Sequence, residues 1–304
     1  MAPAGLAETA GAGAKKHMSQ VWNVLLLSVI AGLGTGLGGL IAIVRKPGRR
    51  SFGLLMGIAA GVMISLAFME LVSEAWKMAG YLTATLGFAA GALFMLAIDM
   101  LIPHMRFGEK EGIGQQPEAS SPEDCDCNAE TPGRHGHRGR RQRRGWFGKT
   151  SAPLDRMLLK TGVLIAIGIT IHNMPEGIAV GASYAHQPQF GYFIAMAIAL
   201  HNIPEGIATA LPLCKAGARK RDAFRIALLS GLTEPVGAML AIFFLSAFRD
   251  LVPAALAFAG GVMIFITLDE LVPAAREHGH QHWTAIGIIL GAIFVFVLSG
   301  IFGV

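Results

Sequence analysis

Two copies of one polar motif carry the chemistry of this sequence. The first reads His-Asn-Met-Pro-Glu-Gly from His172, and the second reads His-Asn-Ile-Pro-Glu-Gly from His201. Each histidine precedes its glutamate, Glu176 or Glu205, by four positions, so on a helix the two side chains share one face. Imidazole nitrogen and carboxylate oxygen are ligands that suit zinc and other divalent first-row metals. The motifs therefore predict a metal site built from two helices.

Further oxygen donors accompany the two histidine–glutamate pairs. Asn173 and Asn202 follow the histidines and supply amide oxygens, and a third carboxylate, Glu234, precedes a proline in a later apolar segment. Pro175 and Pro204 lack a backbone N–H, so the sequence predicts kinks in both motif helices. Because a carboxylate can bridge two ions, this donor set would let a second metal bind beside the first.

The elements that must position these residues are long apolar segments. The chain has 304 residues, of which 53% are hydrophobic and 15% are charged, whereas about 25% is usual in soluble domains. Segments that cross about 30 Å of hydrocarbon must satisfy their own backbone hydrogen bonds, as helices do. We therefore predict an all-α integral membrane protein with eight transmembrane helices, at residues 20–44, 52–75, 81–103, 157–185, 190–213, 222–248, 251–273 and 283–303.

The basic residues orient these predicted spans. Most of the 25 Lys and Arg residues fall on the cytoplasmic side if both termini lie outside a bacterial inner membrane. Residues 1–19 are then an extracytoplasmic tail, and residues 20–304 form the transmembrane domain. Residues 104–156, rich in Gly, Pro, Ser and charge, are predicted to be a disordered cytoplasmic loop between spans three and four. This asymmetry explains the net charge of +5 without a nucleic-acid partner.

Parts of the sequence recur in predicted spans of opposite direction. Gly-Val-Met-Ile from Gly61 and Glu-Leu-Val from Glu70 recur 200 positions later, from Gly261 and Glu270. Inverted repeats are typical of alternating-access transporters, whose site lies near the midplane at the repeat interface. We therefore expect a 3+2+3 arrangement with the metal site between spans four and five. A hydrogen-bonded seam of His–Glu pairs is the alternative, but the duplicated motif together with Glu234 disfavours it.

These features resemble the ZIP (Zrt/Irt-like) family of metal transporters. The resemblance rests on the paired motifs and on Glu-Pro in the next span, and it covers residues 20–304. With a histidine in its second motif, the sequence resembles the bacterial GufA-like branch of this family. By this resemblance, one metal would be bound by His172, Glu176 and Glu205. Met63 of span two would join them, although a methionine in a Gly-rich helix also serves as packing.

The resemblance also implies a second metal position adjacent to the first. Its ligands would be Asn173, Asn202, Glu176, Glu205 and Glu234. His201 stands at a position that varies among family members, and it is a further candidate ligand. The family implies uptake towards the cytoplasm by an elevator-like movement of one helix bundle against another, often in a homodimer.

Carboxylates near the ends of spans form another group of candidates. Glu70 and Glu74 lie near the outer end of span two. Glu270, the repeat partner of Glu70, lies near the inner end of span seven, beside Asp269. Asp99 lies at the inner end of span three. These residues could relay metal into and out of the site, or they could be solvated helix ends; the sequence leaves both interpretations open.

The long predicted loop contains soft ligands of its own. Cys125, Cys127, His135 and His137 could capture metal in the cytoplasm. Their spacing lacks the C-x-x-C pattern of zinc sites, so a plain polar loop is equally compatible with it.

The function predicted from these residues is transport of Zn²⁺ across a lipid bilayer, with Cd²⁺, Fe²⁺ and Mn²⁺ as further candidate ions. The alternative from another class is an intramembrane metalloenzyme, such as a site-2-type protease. Such an enzyme needs one site and an H-E-x-x-H motif, which this sequence lacks. We therefore predict a transporter without catalytic residues or a resident cofactor.

Overall fold

The computed structural model describes residues 4–45, 47–101, 156–215 and 218–304, and the secondary structure within these residues is helical. This confirms the all-α prediction. The predicted loop at 104–156 lies outside the described residues except for Arg156, where a helix begins. Its four candidate ligands therefore lie outside them too.

The first helix, α1, is longer than the predicted span. It covers Ala4–Val44, and its apolar part begins at Met18. The preceding residues, from Ala4 onwards, continue the helix in the segment that we described as a tail. This segment is rich in alanine, the residue with the highest intrinsic helix propensity, which explains the extension.

The second and third predicted spans form one long helical segment. Helices α2 (Arg49–Ser65) and α3 (Ser73–Leu101) are joined by a π-helical segment, Leu66–Val72. The 53 residues from 49 to 101 would measure about 80 Å as a straight helix, far more than a bilayer. Gly80 interrupts α3 with a φ of +79°, a conformation that glycine adopts without steric strain. The break falls between the two predicted spans.

The two polar motifs lie on α4 (Arg156–His186) and α5 (Pro188–Lys215). Both helices continue through their motif prolines, so any kink there does not end the helix. The predicted sixth span is instead two helices, α6 (Lys220–Gly231) and α7 (Thr233–Ala247). Pro235 explains this division, because it cannot donate to the carbonyl of Gly231 and its ring clashes there.

The last part of the chain repeats the plan of α2 and its π-helical segment. Helix α8 (Val252–Ile266) continues through a second π-helical segment, Thr267–Leu271, into α9 (Val272–His278). Helix α10 covers Gln281–Phe302. Neither π-helical segment was predicted from the sequence.

Six helical segments of the described chain are long and apolar enough to cross a membrane. They are residues 18–44, 49–101, 188–214, 220–247, 249–277 and 281–302. Their length and composition agree with the predicted integral membrane protein.

The helices pack as two bundles. The motif bundle consists of α1 and α4 to α7, and the repeat bundle consists of α2, α3 and α8 to α10. In the motif bundle α1 packs along α5 and α4 along α7, while in the repeat bundle α2 packs along α10 and α3 along α8. The bundles meet where α4 packs on α8 and where α5 packs on α2 and α10.

The repeated sequence segments make equivalent contacts in the repeat bundle. Gly61 of α2 lies against the carbonyl of Ile288 in α10, and Gly261 of α8 lies against the carbonyl of Phe88 in α3. The two glycines are 200 positions apart in the sequence, and so are the two residues whose carbonyls they face. A Cβ at either glycine would overlap the facing carbonyl, so both contacts depend on the small residue.

Candidate metal centre

The structure brings His172, Glu176 and Glu205 together in the interior of the motif bundle. His172 Nε2 lies 2.7 Å from Glu205 Oε1 and 3.3 Å from Glu176 Oε1, and each side chain is at most 3% exposed. One ligand atom from each residue lies within 4.8 Å of the other two. Two ligands of a tetrahedral zinc, each about 2.0–2.2 Å from the ion, are separated by about 3.3 Å. The group therefore has the chemistry and spacing of a metal site.

His201 extends this group on the other side of Glu176. Its Nε2 lies 3.0 Å from Glu176 Oε1, and its Nδ1 lies 3.3 Å from the carbonyl oxygen of Ala197. In the tautomer that donates Nδ1–H to this carbonyl, Nε2 presents a lone pair towards the carboxylate. A cation between the two acceptors would satisfy both, so the geometry allows His201 to act as a ligand.

Asn202 and Glu234 form an adjacent polar group where α5 meets α7. Asn202 Nδ2 donates to Glu234 Oε1 at 2.6 Å and to the Ala31 carbonyl at 2.9 Å. Among the described residues, five side chains in and around the two groups each keep a buried oxygen without a hydrogen-bond partner; they are Asn173, Glu176, Asn202, Glu205 and Glu234. Buried polar atoms are usually paired, because an unpaired one loses its hydration without compensation. Oxygens of this kind could coordinate a divalent cation.

The motif glycines explain how α4 approaches α7 and how α5 approaches α1 so closely. Gly177, after Glu176, lies against the backbone carbonyl of Glu234, so α4 and α7 touch at the level of the carboxylates. Gly206, after Glu205, lies against the carbonyl of Thr35 in α1. A Cβ at either position would overlap these carbonyl atoms.

Met63 belongs to the other bundle. It is fully buried in α2, and the Thr267 hydroxyl lies 3.5 Å from its sulfur while donating to the Met263 carbonyl at 2.7 Å. Helix α2 packs on α5, which carries Glu205. Met63 therefore lies on a helix that faces the motif bundle, and Thr267 is a neighbour that sequence reasoning did not single out.

Glu70, one of the candidate relay residues, lies in the first π-helical segment and is half-buried. It contacts the Ser299 hydroxyl of α10 and interacts electrostatically with Glu74 and Lys77. The structure therefore places Glu70 among charged neighbours at the junction of the π-helical segment and α3.

Glu270, another candidate relay residue, lies closer to the candidate metal centre. Glu270, in the second π-helical segment, is 5% exposed. It interacts electrostatically with Asp99 and Asp269, and also with His172 and Glu205. The structure thus places Glu270 near two other candidate relay residues, and Glu270 itself lies within electrostatic reach of the histidine–glutamate group.

One charged contact outside this centre was not predicted from the sequence. His186 Nε2, at the end of α4, lies 3.1 Å from Glu74 Oε1 of α3, and Glu74 Oε2 lies 3.0 Å from Lys77 Nζ. A single histidine at a helix end carries no sequence signature, and its partner lies 112 positions earlier in the chain.

Comparison with known proteins decides the family. The protein-family model described as ZIP Zinc transporter matches residues 21–299. The chain belongs to the ZIP family. The resemblance found in the motifs is therefore confirmed, and a ZIP protein transports divalent metal and is not an enzyme. The intramembrane metalloenzyme, kept as an alternative from the sequence, is excluded.

Curated relatives agree with this membership. The chain is 35% identical over 286 residues to zinc transporter ZupT of Chlorobium luteolum, and this alignment covers 90% of this chain and 96% of the relative. It is 38% identical over 288 residues to ZupT of Akkermansia muciniphila, with 90% and 96% coverage. It is 37% identical over 295 residues to ZupT of Lysinibacillus sphaericus, with 91% and 97% coverage. The GufA-like branch stays a prediction.

Proposed function

We propose that this ZIP protein takes up Zn²⁺ into the cytoplasm through a binuclear site in the motif bundle. The observation that carries the proposal is the buried group of His172, Glu176 and Glu205, whose ligand atoms lie within 4.8 Å of one another. Three ionisable side chains buried at one point in a membrane protein are costly unless they serve a function. Zinc is also named for the curated relatives.

The first metal position would use the imidazole of His172 with carboxylate oxygens of Glu176 and Glu205. His201 would add a nitrogen ligand through its contact with Glu176, at 3.0 Å. Met63 would supply a thioether from the repeat bundle. A site of mixed nitrogen and oxygen ligands binds zinc less tightly than a thiolate cage does, and a carrier must release its cargo.

The second position would use oxygen ligands. Asn173, Asn202 and Glu234 would bind the ion, and Glu176 and Glu205 would bridge it to the first. The unpaired buried oxygens of this group support the proposal, because a cation would supply the missing partner. An all-oxygen position is harder than the first, so the two positions would differ in metal preference.

Transport would proceed by movement of the motif bundle against the repeat bundle. Each bundle is held by close backbone approaches at glycine, such as Gly177 on Glu234 and Gly61 on Ile288. No described glycine makes such an approach to the other bundle. The interface between the bundles is thus better suited to sliding than the contacts within them. Glu270, with its acidic neighbours, would receive the released ion.

We also propose eight membrane crossings with both termini outside the cytoplasm. The break at Gly80 would divide the 49–101 segment into two crossings, and α4 would add another to the six apolar segments. The equivalent contacts of the two sequence repeats support an inverted-repeat arrangement.

Zinc flux into proteoliposomes that contain the purified full chain tests the proposed function. Glu176→Ala and Glu205→Ala should fold, as judged by elution and melting temperature, and should lose flux. Asp250→Ala is the matched control, because it removes an exposed carboxylate. Normal flux in well-folded Glu176→Ala and Glu205→Ala proteins would show that the His–Glu pairs are only a structural seam.

A further inference from the structure

The contact between Glu74 and His186 joins the two bundles away from the metal centre. His186 is the last residue of α4 in the motif bundle, and Glu74 is the second residue of α3 in the repeat bundle. His186 lies ten positions after Glu176, which is about 15 Å along a helix. Both side chains are 23% exposed, so water reaches them, unlike the fully buried centre.

The pair is hydrogen-bonded in the structure, and a small separation would fit it to one ion. His186 Nε2 and Glu74 Oε1 lie 3.1 Å apart, and two ligands on tetrahedral zinc are separated by roughly 3.3 Å. The His186 ring packs edge-on against Phe190, with centroids 6.1 Å apart at 89°. This contact restricts the ring, and the partial exposure leaves room for water to complete the coordination.

The charges around the pair favour reversible binding. Lys77 Nζ lies 3.0 Å from the second oxygen of Glu74, but the Lys77 side chain is 67% exposed. An exposed lysine gains little from such an ion pair and can leave it. Lys77 would therefore compete with an arriving cation without excluding it. Glu70, which also interacts with Glu74 and Lys77, adds negative charge nearby.

We propose that Glu74 and His186 form an extracytoplasmic receiving site for a divalent metal ion, Zn²⁺ first, ahead of the buried centre. The proposal rests on the proposed function and on the proposed orientation, in which the end of α4 and the start of α3 face outside. The ion binds between the imidazole and the carboxylate, and Lys77 is displaced to solvent.

Kinetics of zinc uptake by the full chain in proteoliposomes test the site. His186→Ala and Glu74→Gln should raise KM about fivefold with little change in kcat, because a binding step is weakened and the buried centre is intact. Lys77→Met should lower KM, since it removes the competitor. Asp250→Ala, an exposed carboxylate on the same proposed face, should leave KM unchanged. Glu74→Gln keeps a hydrogen-bonding partner for His186, so it tests the site even if the His186→Ala protein misfolds.

Zinc binding in detergent separates this site from the buried centre. In a Glu176→Ala/Glu205→Ala protein, adding His186→Ala should reduce the zinc bound per chain by one. An unchanged stoichiometry would overturn the receiving site. A fall in kcat with unchanged KM in His186→Ala would also overturn it, because the pair would then serve only as a contact between the two bundles. If the Glu176→Ala/Glu205→Ala protein transports zinc normally, the proposed function fails instead.

Discussion

The motif bundle and the repeat bundle both bury polar side chains, but they satisfy them differently. In the repeat bundle the hydroxyls of Thr267 and Thr284 donate to backbone carbonyls at 2.7 and 3.0 Å. In the motif bundle the carboxylates of Glu176 and Glu234 each keep an oxygen without a hydrogen-bond partner among the described residues. Unpaired buried oxygens destabilise a protein unless another ligand satisfies them. The unpaired carboxylate oxygens of the motif bundle support our proposal that a cation binds there, whereas these two hydroxyls of the repeat bundle need no further partner.

The largest effect should come from the carboxylate that contacts both imidazoles of the motif bundle. We expect Glu176→Ala to reduce zinc flux at least about 100-fold, since even outer partners of metal ligands are worth about 10- to 100-fold in affinity. Flux per folded molecule in proteoliposomes measures this loss. A reduction of less than threefold in folded protein would contradict the proposal that the motif bundle binds the transported ion.

Next come the glycines of the repeat bundle, which should affect stability and not metal affinity. Gly61→Val and Gly261→Val each force a side chain against a carbonyl in the neighbouring helix. Overpacking of this kind should destabilise the protein by about 1–3 kcal/mol. Melting curves in detergent should show similar losses for the two variants, because their contacts are equivalent. Clearly different losses would argue against that equivalence.

A smaller loss of stability is expected from Thr284 in the same bundle. Its hydroxyl donates to the carbonyl of Ala275, near the C-terminal end of α9, where helical carbonyls lack partners. Thr284→Val should lower stability by about 1 kcal/mol and leave zinc flux unchanged. Thr284→Ser is the control, because it keeps the hydroxyl. Flux lost in Thr284→Val and restored in Thr284→Ser would give this hydroxyl a role beyond support.

The smallest effect concerns Met63, the proposed ligand from the repeat bundle. Met63→Leu keeps the volume of the side chain but removes the sulfur, a soft ligand. We expect uptake of Cd²⁺ to fall about threefold more than uptake of Zn²⁺, because cadmium is the softer ion. Competition between the two metals in one flux assay measures this ratio. An unchanged ratio would mean that Met63 only fills space.

Helices in long apolar segments could be predicted because their signal is local. The predicted spans 157–185 and 283–303 agree closely with α4 and α10. The π-helical segments could not be predicted in this way. Neither contains a glycine or proline, and Pro273 follows only the second segment, so no local signal is common to both. The extension of α1 by its alanine-rich start was missed because it is not apolar.

For the metal centre, the sequence by itself determined which side chains share a helix face. His172 and Glu176 are four residues apart, and helical periodicity alone brings them together. Only the tertiary structure decided that His172 lies 2.7 Å from Glu205, that His201 reaches Glu176 and that Asn202 reaches Glu234. These pairs join different helices, and their distances depend on how closely and at what register those helices pack. Gly177 sets the approach of α4 to α7, but no local spacing along the chain encodes the register of α4 against α5.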